Sequence, residues 1–325
     1  MPIDVVHRGI PRKEHSSLKG LKKRHMHKQK HLARPSFADM SFHILNTMIL
    51  LFCFLIVSVP LINIIAQSLS SPGDVIAGRV GLWPVNFNIN AYKEVFASSL
   101  LIGGYFNSIL YTVVGTGVNI LLTVLAAYPL SRHDFAGRGI MTGLFVFTMI
   151  FTAPLIPTYL NVRSLGLLDS IWAMVLPGAI SVYNMIIART FFQNSIPGEM
   201  IEAAELDGAN DIQIMLQLVL PLSKSILAVL VLFYAVTHWN AYFDAFIYLS
   251  SESKFPLQVV LRNVLANATL IEQMANISNE QASRLAMVEV LKYAIIVFGS
   301  IPVICLYPFV QRHFVKGVMI GSLKG

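Results

Sequence analysis

"IEAAELDGANDIQIMLQLVLP" runs from Ile201 to Pro221 and sets four carboxylates, one glycine and a closing proline between two strongly apolar stretches. The rest of the chain makes that loop conspicuous. Of its 325 residues, 55% are hydrophobic and 13% charged, and the mean hydropathy is +0.64. A soluble chain carries about a quarter charged residues. This one has too little polar surface for water and suits a bilayer, where each helical span needs about 20 apolar residues.

Stretches free of Asp, Glu, Lys and Arg occupy 40–73, 95–131, 139–162, 170–188, 225–243 and 293–311. They are too continuously apolar for the alternating strands of a membrane barrel. The expected fold is therefore all-α and integral to the membrane, with six transmembrane helices. Residues 1–40 hold ten of the 24 basic side chains, which places the N-terminus in the cytoplasm by the positive-inside rule. Six crossings return the C-terminus to the same side. The basic tail has three readings: a topology signal, a patch for anionic lipid, or a metal site at His25, His27 and His31 that no carboxylate or cysteine completes. Cys53 and Cys305 lie in apolar stretches and read as small hydrophobes. Asn267 and Asn276 match the N-x-[ST] sequon, as chance also allows.

Several connections have local signals. Asn90 is placed to cap a short helix over 91–96. Residues 131–138 make a short inside turn and 161–170 a tight outside one. Residues 247–288 are expected to form a helical flap over the outer mouth.

The acidic loop falls between the fourth and fifth stretches, on the cytoplasmic side. Pro197 suits a first helical turn. Glu199, Glu202 and Glu205 are three apart and share a face, where like charges cost roughly 0.2–0.5 kcal/mol per pair. Ala203 and Ala204 let another surface approach. Gly208 fits a left-handed helix end, Asn210 or Asp211 can cap a second helix, and Pro221 ends it. Helix, turn, helix across the cytoplasmic face reads either as a dock for a basic partner or as a solvated connection.

Glu202-Ala203-Ala204, Gly208 after three more residues, and Leu218-Val219-Leu220-Pro221 resemble the E-A-A-x-x-x-G-x(9)-I-x-L-P signature of ABC importer permeases, with Leu218 for the usual Ile. From about residue 41 to the end the chain is similar to carbohydrate-uptake permeases of the maltose-permease-like superfamily, and "VLFYAVTHWNAYFDAFIYL" and "YPFVQRHFVKGVMIGSLKG" narrow it to the YtcP/LplC type, the subgroup for complex oligosaccharides. The resemblance implies a type I ABC importer permease fold over 41–315, with residues 1–40 and 316–325 as cytoplasmic tails. It implies that the loop at about 195–221 is a coupling helix seated on a separate ATPase, through Glu202, Ala203, Ala204, Asp207, Gly208, Leu218, Leu220 and Pro221. It implies a second homologous permease chain, two ATPase copies, an extracytoplasmic binding protein, a saccharide substrate and a bacterial inner membrane. Gly317, Gly321 and Gly325 then suit an extended C-terminal path.

The chain has no G-x-x-x-x-G-K-[ST] phosphate loop, so ATP and Mg belong to the partner ATPase. No cofactor, metal or nucleic acid is expected on this chain, and it is not expected to be an enzyme: His238 is a lone imidazole. Sugars favour aromatic faces with neutral hydrogen-bonding groups, which singles out Asn107, Tyr183, Asn184, Trp239, Asn240 and Tyr242. Interhelical packing explains the same residues equally simply. Asp244 reads as an interfacial residue. A peptide or polyamine is the alternative cargo. A secondary transporter would show ionisable groups at mid-span, at about 2.5–3.5 kcal/mol each, and the six stretches have none.

Overall fold

The computed structural model describes residues 37–273 and 279–322. The N-terminal tail with its three histidines, Asn276, the side chain of Asn267 and the last three residues lie outside that description. Among the described residues every regular element is helical. The chain divides into two compact units, Met1–Pro60 and Leu61–Gly325. The boundary falls within helix α1 (Phe37–Ser68). Along the first unit the α1 side chains Phe42, Ile49, Phe52 and Ile56 are all exposed, as suits a surface covered by lipid.

The second unit is built around α4 (Ser99–Ser131), whose N-terminus Ser98 caps by accepting from Leu101 N at 3.4 Å. Before it come α2 (Pro72–Ile76) and α3 (Asn90–Ala97). The cap expected from Asn90 is instead supplied from two residues earlier. Asn88 Oδ1 accepts from Asn90 N at 2.7 Å, and Asn90 is already helical. One face of α4 carries small and polar residues, among them Gly104, Ser108, Gly115, Thr116, Asn119 and Thr123, and all of these are buried. Small residues let helices approach closely where no water drives them together. A methyl group on Gly115 would sit 2.4 Å from the His238 imidazole, and one on Gly104 would sit 3.3 Å from the Leu257 backbone.

Three described helices are long and apolar enough to cross a membrane: Asp39–Ser68, Ser99–Ser131 and Ala286–Pro308. Two bent pairs raise the number to five if each is one span. Two of the six stretches expected as spans are interrupted by backbone breaks. Stretch 139–162 splits into α5 (Arg138–Ile150) and α6 (Leu155–Ser164), bent by 114°. Pro154 drives Ala153 out of the helical region and cannot donate an N–H. Stretch 170–188 splits at Leu176-Pro177-Gly178 into α7 (Ile171–Val175) and α8 (Val182–Ser195), the latter capped by the Ser181 hydroxyl. Absence of charge marks an apolar environment but says nothing of backbone breaks inside it.

After α8 come α9 (Gly198–Leu206) and α10 (Asp211–Leu222), then α11 (Lys224–Trp239), bent 83° from α10 at Ser223. Within α10, Ile214–Val219 is π-helical, and the Leu220 N–H reaches back to the Met215 carbonyl. Pro221 has no N–H to continue the ordinary ladder. Tyr128, Met185, Phe192, Ile214, Val219 and Leu230 make one buried core beneath this region.

The segment expected as an outer flap packs firmly. After α12 (Tyr242–Tyr248) and a 3-10 turn at Glu252–Lys254, α13 (Leu257–Gln273) buries Leu257, Val259 and Val260. The last element, α14 (Asn279–Ser322), stays helical through residues 316–322. This replaces the extended path expected from Gly317 and Gly321. Pro302 and Pro308 are the last prolines, and isolated glycines beyond them are tolerated in a helix.

Candidate functional site

Each joint of the acidic loop has a defined local geometry. Pro197 is the N-cap of α9 rather than part of its first turn. Gly208 ends α9 at φ +83° with no atom within 4 Å of where a Cβ would be. A side chain there is therefore opposed by backbone strain alone. Asn210, not Asp211, caps α10. Its Oδ1 accepts from Gln213 N at 2.9 Å, and Gln213 Oε1 accepts from Asn210 N at 2.9 Å, a reciprocal capping box. Leu218 and Val219 lie in the π segment, and Leu220 and Pro221 in the short turn after it.

Ile201 and Ala204 pack inward against the buried core. Glu202, Ala203, Leu206 and Asp207 face out, with Leu206 89% exposed. On α10 the neighbouring Ile212 and Leu216 are exposed as well. Leaving a leucine in water forfeits roughly 1.5–3 kcal/mol relative to burying it, so this apolar patch amid carboxylates is a surface suited to being covered. Sequence reasoning looked only at the charges and missed Leu206 and Ile212. The signal was available: apolar residues at the ends of two short capped helices.

Glu205 has a different task. Arg132, just past the end of α4, donates from Nη2 to Glu205 Oε1 at 2.5 Å and to Asp134 Oδ2 at 2.8 Å, and from Nε to Asp134 Oδ1 at 2.9 Å. Its side chain is only 13% exposed. Asp134, then Glu205, raise the basicity of this guanidinium, and Arg132 in turn holds the Asp134 carboxyl below its ordinary range. Arg189 Nε donates to the Leu130 carbonyl at 2.8 Å, bracing the same helix end. Beneath α9 a recess of about 310 Å³ is lined by Tyr128, Arg132, Phe192, Glu202 and Glu205. α9 is thus bolted to α4 through one carboxylate while Glu202 stays free of ion pairs among the described residues.

The six polar and aromatic candidates separate. Asn107 Nδ2 donates to the carbonyls of Ser253 at 2.8 Å and Phe255 at 3.1 Å, Tyr111 Oη donates to that of Lys254 at 2.7 Å, and Leu257 N donates to Ser108 Oγ at 2.9 Å. Asn107 therefore pins the turn into α13. Trp239 is buried, donates from Nε1 to the Gly299 carbonyl at 3.0 Å and meets Tyr105 edge-on. It packs between helices. Asn240 donates to the Val236 carbonyl and closes α11. Tyr183 is 62% exposed on a cleft of about 1000 Å³ that also includes Thr152, Thr158 and Asn161. Asn184 is buried beside a cavity of about 180 Å³ with Asn119, Tyr234, Thr237, His238 and Asp244. Tyr234 organises that cavity, bonding the Thr123 hydroxyl at 2.6 Å and accepting from Ser181 N at 3.2 Å across the α7–α8 break. Asn119 Oδ1 and His238 Nε2 have no partner among the described residues. Tyr242 is half-buried and stacks on Phe246.

At the end of the molecule holding the 165–170 turn, Asp169 sits at φ +54° and accepts from Ser250 N, Ser251 N, Ser251 Oγ and Lys254 Nζ, the last at 2.7 Å. Lys254 first, then Ser251, hold its carboxyl well below the usual range. No group of three His, Cys, Asp or Glu capable of holding a metal occurs among the described residues.

Residues 119–320 match the family model described as "Binding-protein-dependent transport system inner membrane component". The chain is 42% identical over 276 residues to the polygalacturonan/rhamnogalacturonan transport system permease protein YtcP of Bacillus subtilis, covering 85% of this chain and 96% of that one. It is 38% identical over 295 residues to the LplC protein of the same organism, covering 91% and 99%. A crystal structure of a bacterial ABC transporter involved in import of the acidic polysaccharide alginate contains a chain that superposes with a TM-score of 0.77 at 38% identity, covering 86% of this chain and 98% of that one.

Proposed function

The chain belongs to the family of binding-protein-dependent transport inner membrane components, and from that premise we propose that it forms half of the transmembrane pathway of an ATP-driven importer for an oligosaccharide. As a permease subunit it moves cargo and is not an enzyme. The other half of the pathway is a second homologous permease. Two ABC ATPase subunits, using ATP and Mg, drive the cycle, and an extracytoplasmic binding protein delivers the saccharide. Both termini are cytoplasmic.

One observation carries this reading: α9 presents Glu202, Ala203, Leu206 and Asp207 outward while Glu205 ties its other flank to the end of α4. A helix that was only a solvated connection would have no use for an anchor of that kind or for an 89% exposed leucine. Glu202 supplies the charge for a basic cleft on the ATPase, Ala203 and Ala204 the close approach, and Gly208 the turn. Leu218, Leu220 and Pro221 shape the bend into α11. The Tyr183 cleft and the Asn184 cavity form the saccharide path, with Tyr242 at its outer end. A saccharide is favoured over a peptide or polyamine by the cargo named for relatives such as YtcP and the alginate importer.

The test combines copurification and uptake. Glu202→Lys buries an unpaired, repelling charge, and breaking one side of a desolvated pair costs roughly 2–5 kcal/mol. The ATPase should fall away from the detergent-purified complex. Gly208→Val should uncouple transport through backbone strain of about 1–2 kcal/mol or more, whereas Gly208→Asn, which tolerates the left-handed region, should retain most activity. Wild-type uptake by both Glu202→Lys and Gly208→Val sinks the coupling role.

A further inference from the structure

The pinned turn at Ser253–Leu257 brings α13 alongside α12, and one contact between them is unused by anything above. Tyr242 and Phe246, four apart on α12, stack with ring centroids 5.8 Å apart and planes 25° from parallel. The Arg262 guanidinium from α13 lies over both, 5.3 Å from the Tyr242 centroid and 4.9 Å from the Phe246 centroid. The surface is open: Arg262 is exposed, and Phe243 and Phe246 are 56% and 52% exposed.

Arg79 pairs with Asp74, Lys254 with Asp169, and Lys292 with Glu289, whereas Lys93, Arg163 and Arg262 have no ion pair among the described residues, and of these three Arg262 alone lies over aromatic rings. Arg262 has no described carboxylate. Its ring contacts engage no N–H donor with a carboxylate, and a guanidinium in that state can grip a carboxylate with two parallel bonds. An unpaired guanidinium is costly against acyl chains, so this face belongs to water or to headgroups. An aromatic platform beside a guanidinium with no carboxylate partner matches one ligand chemistry closely: a sugar ring that carries its own carboxylate. A neutral sugar would use the rings and leave the charge idle.

We propose that Arg262, laid across Tyr242 and Phe246, is the subsite that grips the carboxylate of a uronate residue in the transported saccharide. The proposal rests on the importer reading and narrows its cargo to acidic saccharides. Tyr242 and Phe246 fix the guanidinium plane and offer hydrophobic ring surface. Arg262 discriminates charged from neutral rings.

The test uses the complex of this chain with its partner permease and ATPase in nanodiscs of neutral phosphatidylcholine. The probes are trigalacturonate and its fully methyl-esterified form, which has the same ring without the charge. Wild type should bind the acid about tenfold more tightly than the ester, the equivalent of one bidentate charge-assisted pair. Arg262→Gln should erase that preference while leaving ATPase copurification unchanged, and Arg262→Lys should keep only part of it. Equal wild-type affinity for acid and ester, no binding of the acid, or an undiminished preference in Arg262→Gln overturns the proposal. Repeating the measurement with phosphatidylglycerol separates the other source of anions. If that lipid abolishes acid binding to wild type and leaves Arg262→Gln unaffected, the site is a headgroup site and the proposal fails. Failure of the wild-type chain to hold its ATPase would instead count against the importer reading itself.

Discussion

Removing Arg132 should loosen the acidic helix without touching its outer face. The side chain is 13% exposed and bonds both Asp134, 67% exposed, and Glu205, 45% exposed. Charge-assisted bonds of this kind reach about 1.5–3 kcal/mol when well protected, whereas exposed pairs yield about 0.2–1 kcal/mol. Because both carboxylates remain wet, the Arg132–Glu205 coupling belongs near 1 kcal/mol, or about fivefold in an equilibrium constant. The measurable consequence is in docking, since an α9 free to swing must be ordered again when the ATPase binds. Titrating the ATPase onto purified permease complex should show Arg132→Ala and Glu205→Ala each weaker by about fivefold, and the double variant no weaker than either, because both remove the same bond. Glu202→Ala in the double background should add its full separate loss. Multiplicative losses, about twenty-five-fold for the double variant, or wild-type affinity in both singles, would refute the bolt between α4 and α9.

Two further outcomes are expected. With the native thiols replaced (Cys53→Ser, Cys305→Ser), Ser164→Cys should react with an impermeant thiol reagent from outside sealed cells and Ala136→Cys should not; the opposite pattern reverses the membrane orientation. Asp169, whose carboxyl Lys254 holds low, contributes stability that is fully present above its unfolded value near 3.9 and lost as pH falls through the lower folded value; thermal unfolding from pH 6 down to pH 2.5 should therefore show an acid-dependent loss in wild type that Asp169→Asn lacks, and identical pH profiles would discard the clamp.

Local features of the acidic loop were legible because they depend on neighbours in sequence. Gly208 turns and Asn210 caps for reasons contained within a few residues. Features made by distant residues were not. Glu205 looked like one more repelling carboxylate because its partner is 73 residues earlier. Trp239 and Asn107 could be read as sugar contacts or as interhelical packing, and nothing near them in sequence announces that the Trp239 indole N–H goes to the Gly299 carbonyl, 60 residues later, or that Asn107 holds carbonyls 146 and 148 residues away. The apolar stretches predicted a membrane protein and the helical class but not their kinks, because hydropathy does not register the backbone breaks at Ala153-Pro154 or Pro177-Gly178. Spacing alone left open whether the loop docks or merely connects, and only the resemblance to the family signature pointed to docking.

The π segment of α10 has a consequence for insertions and deletions. A π turn accommodates one residue more than the α-helix around it, so Ile214–Val219 behaves as a helix with a surplus residue held in place. Each residue of an ordinary α-helix advances about 1.5 Å and turns about 100°. Deleting one residue here would let the ladder heal, spare both the Asn210 cap and Pro221, and improve the local hydrogen bonding. Because the wider turn already absorbs that residue, the deletion would leave the acidic face of α9 close to its direction relative to α11, whereas deleting a residue from an ordinary α turn would rotate everything before it by about 100°. The π segment of α10 is therefore the place in this loop where a one-residue change of length is tolerated, and the outward direction of Glu202 and Leu206 survives it.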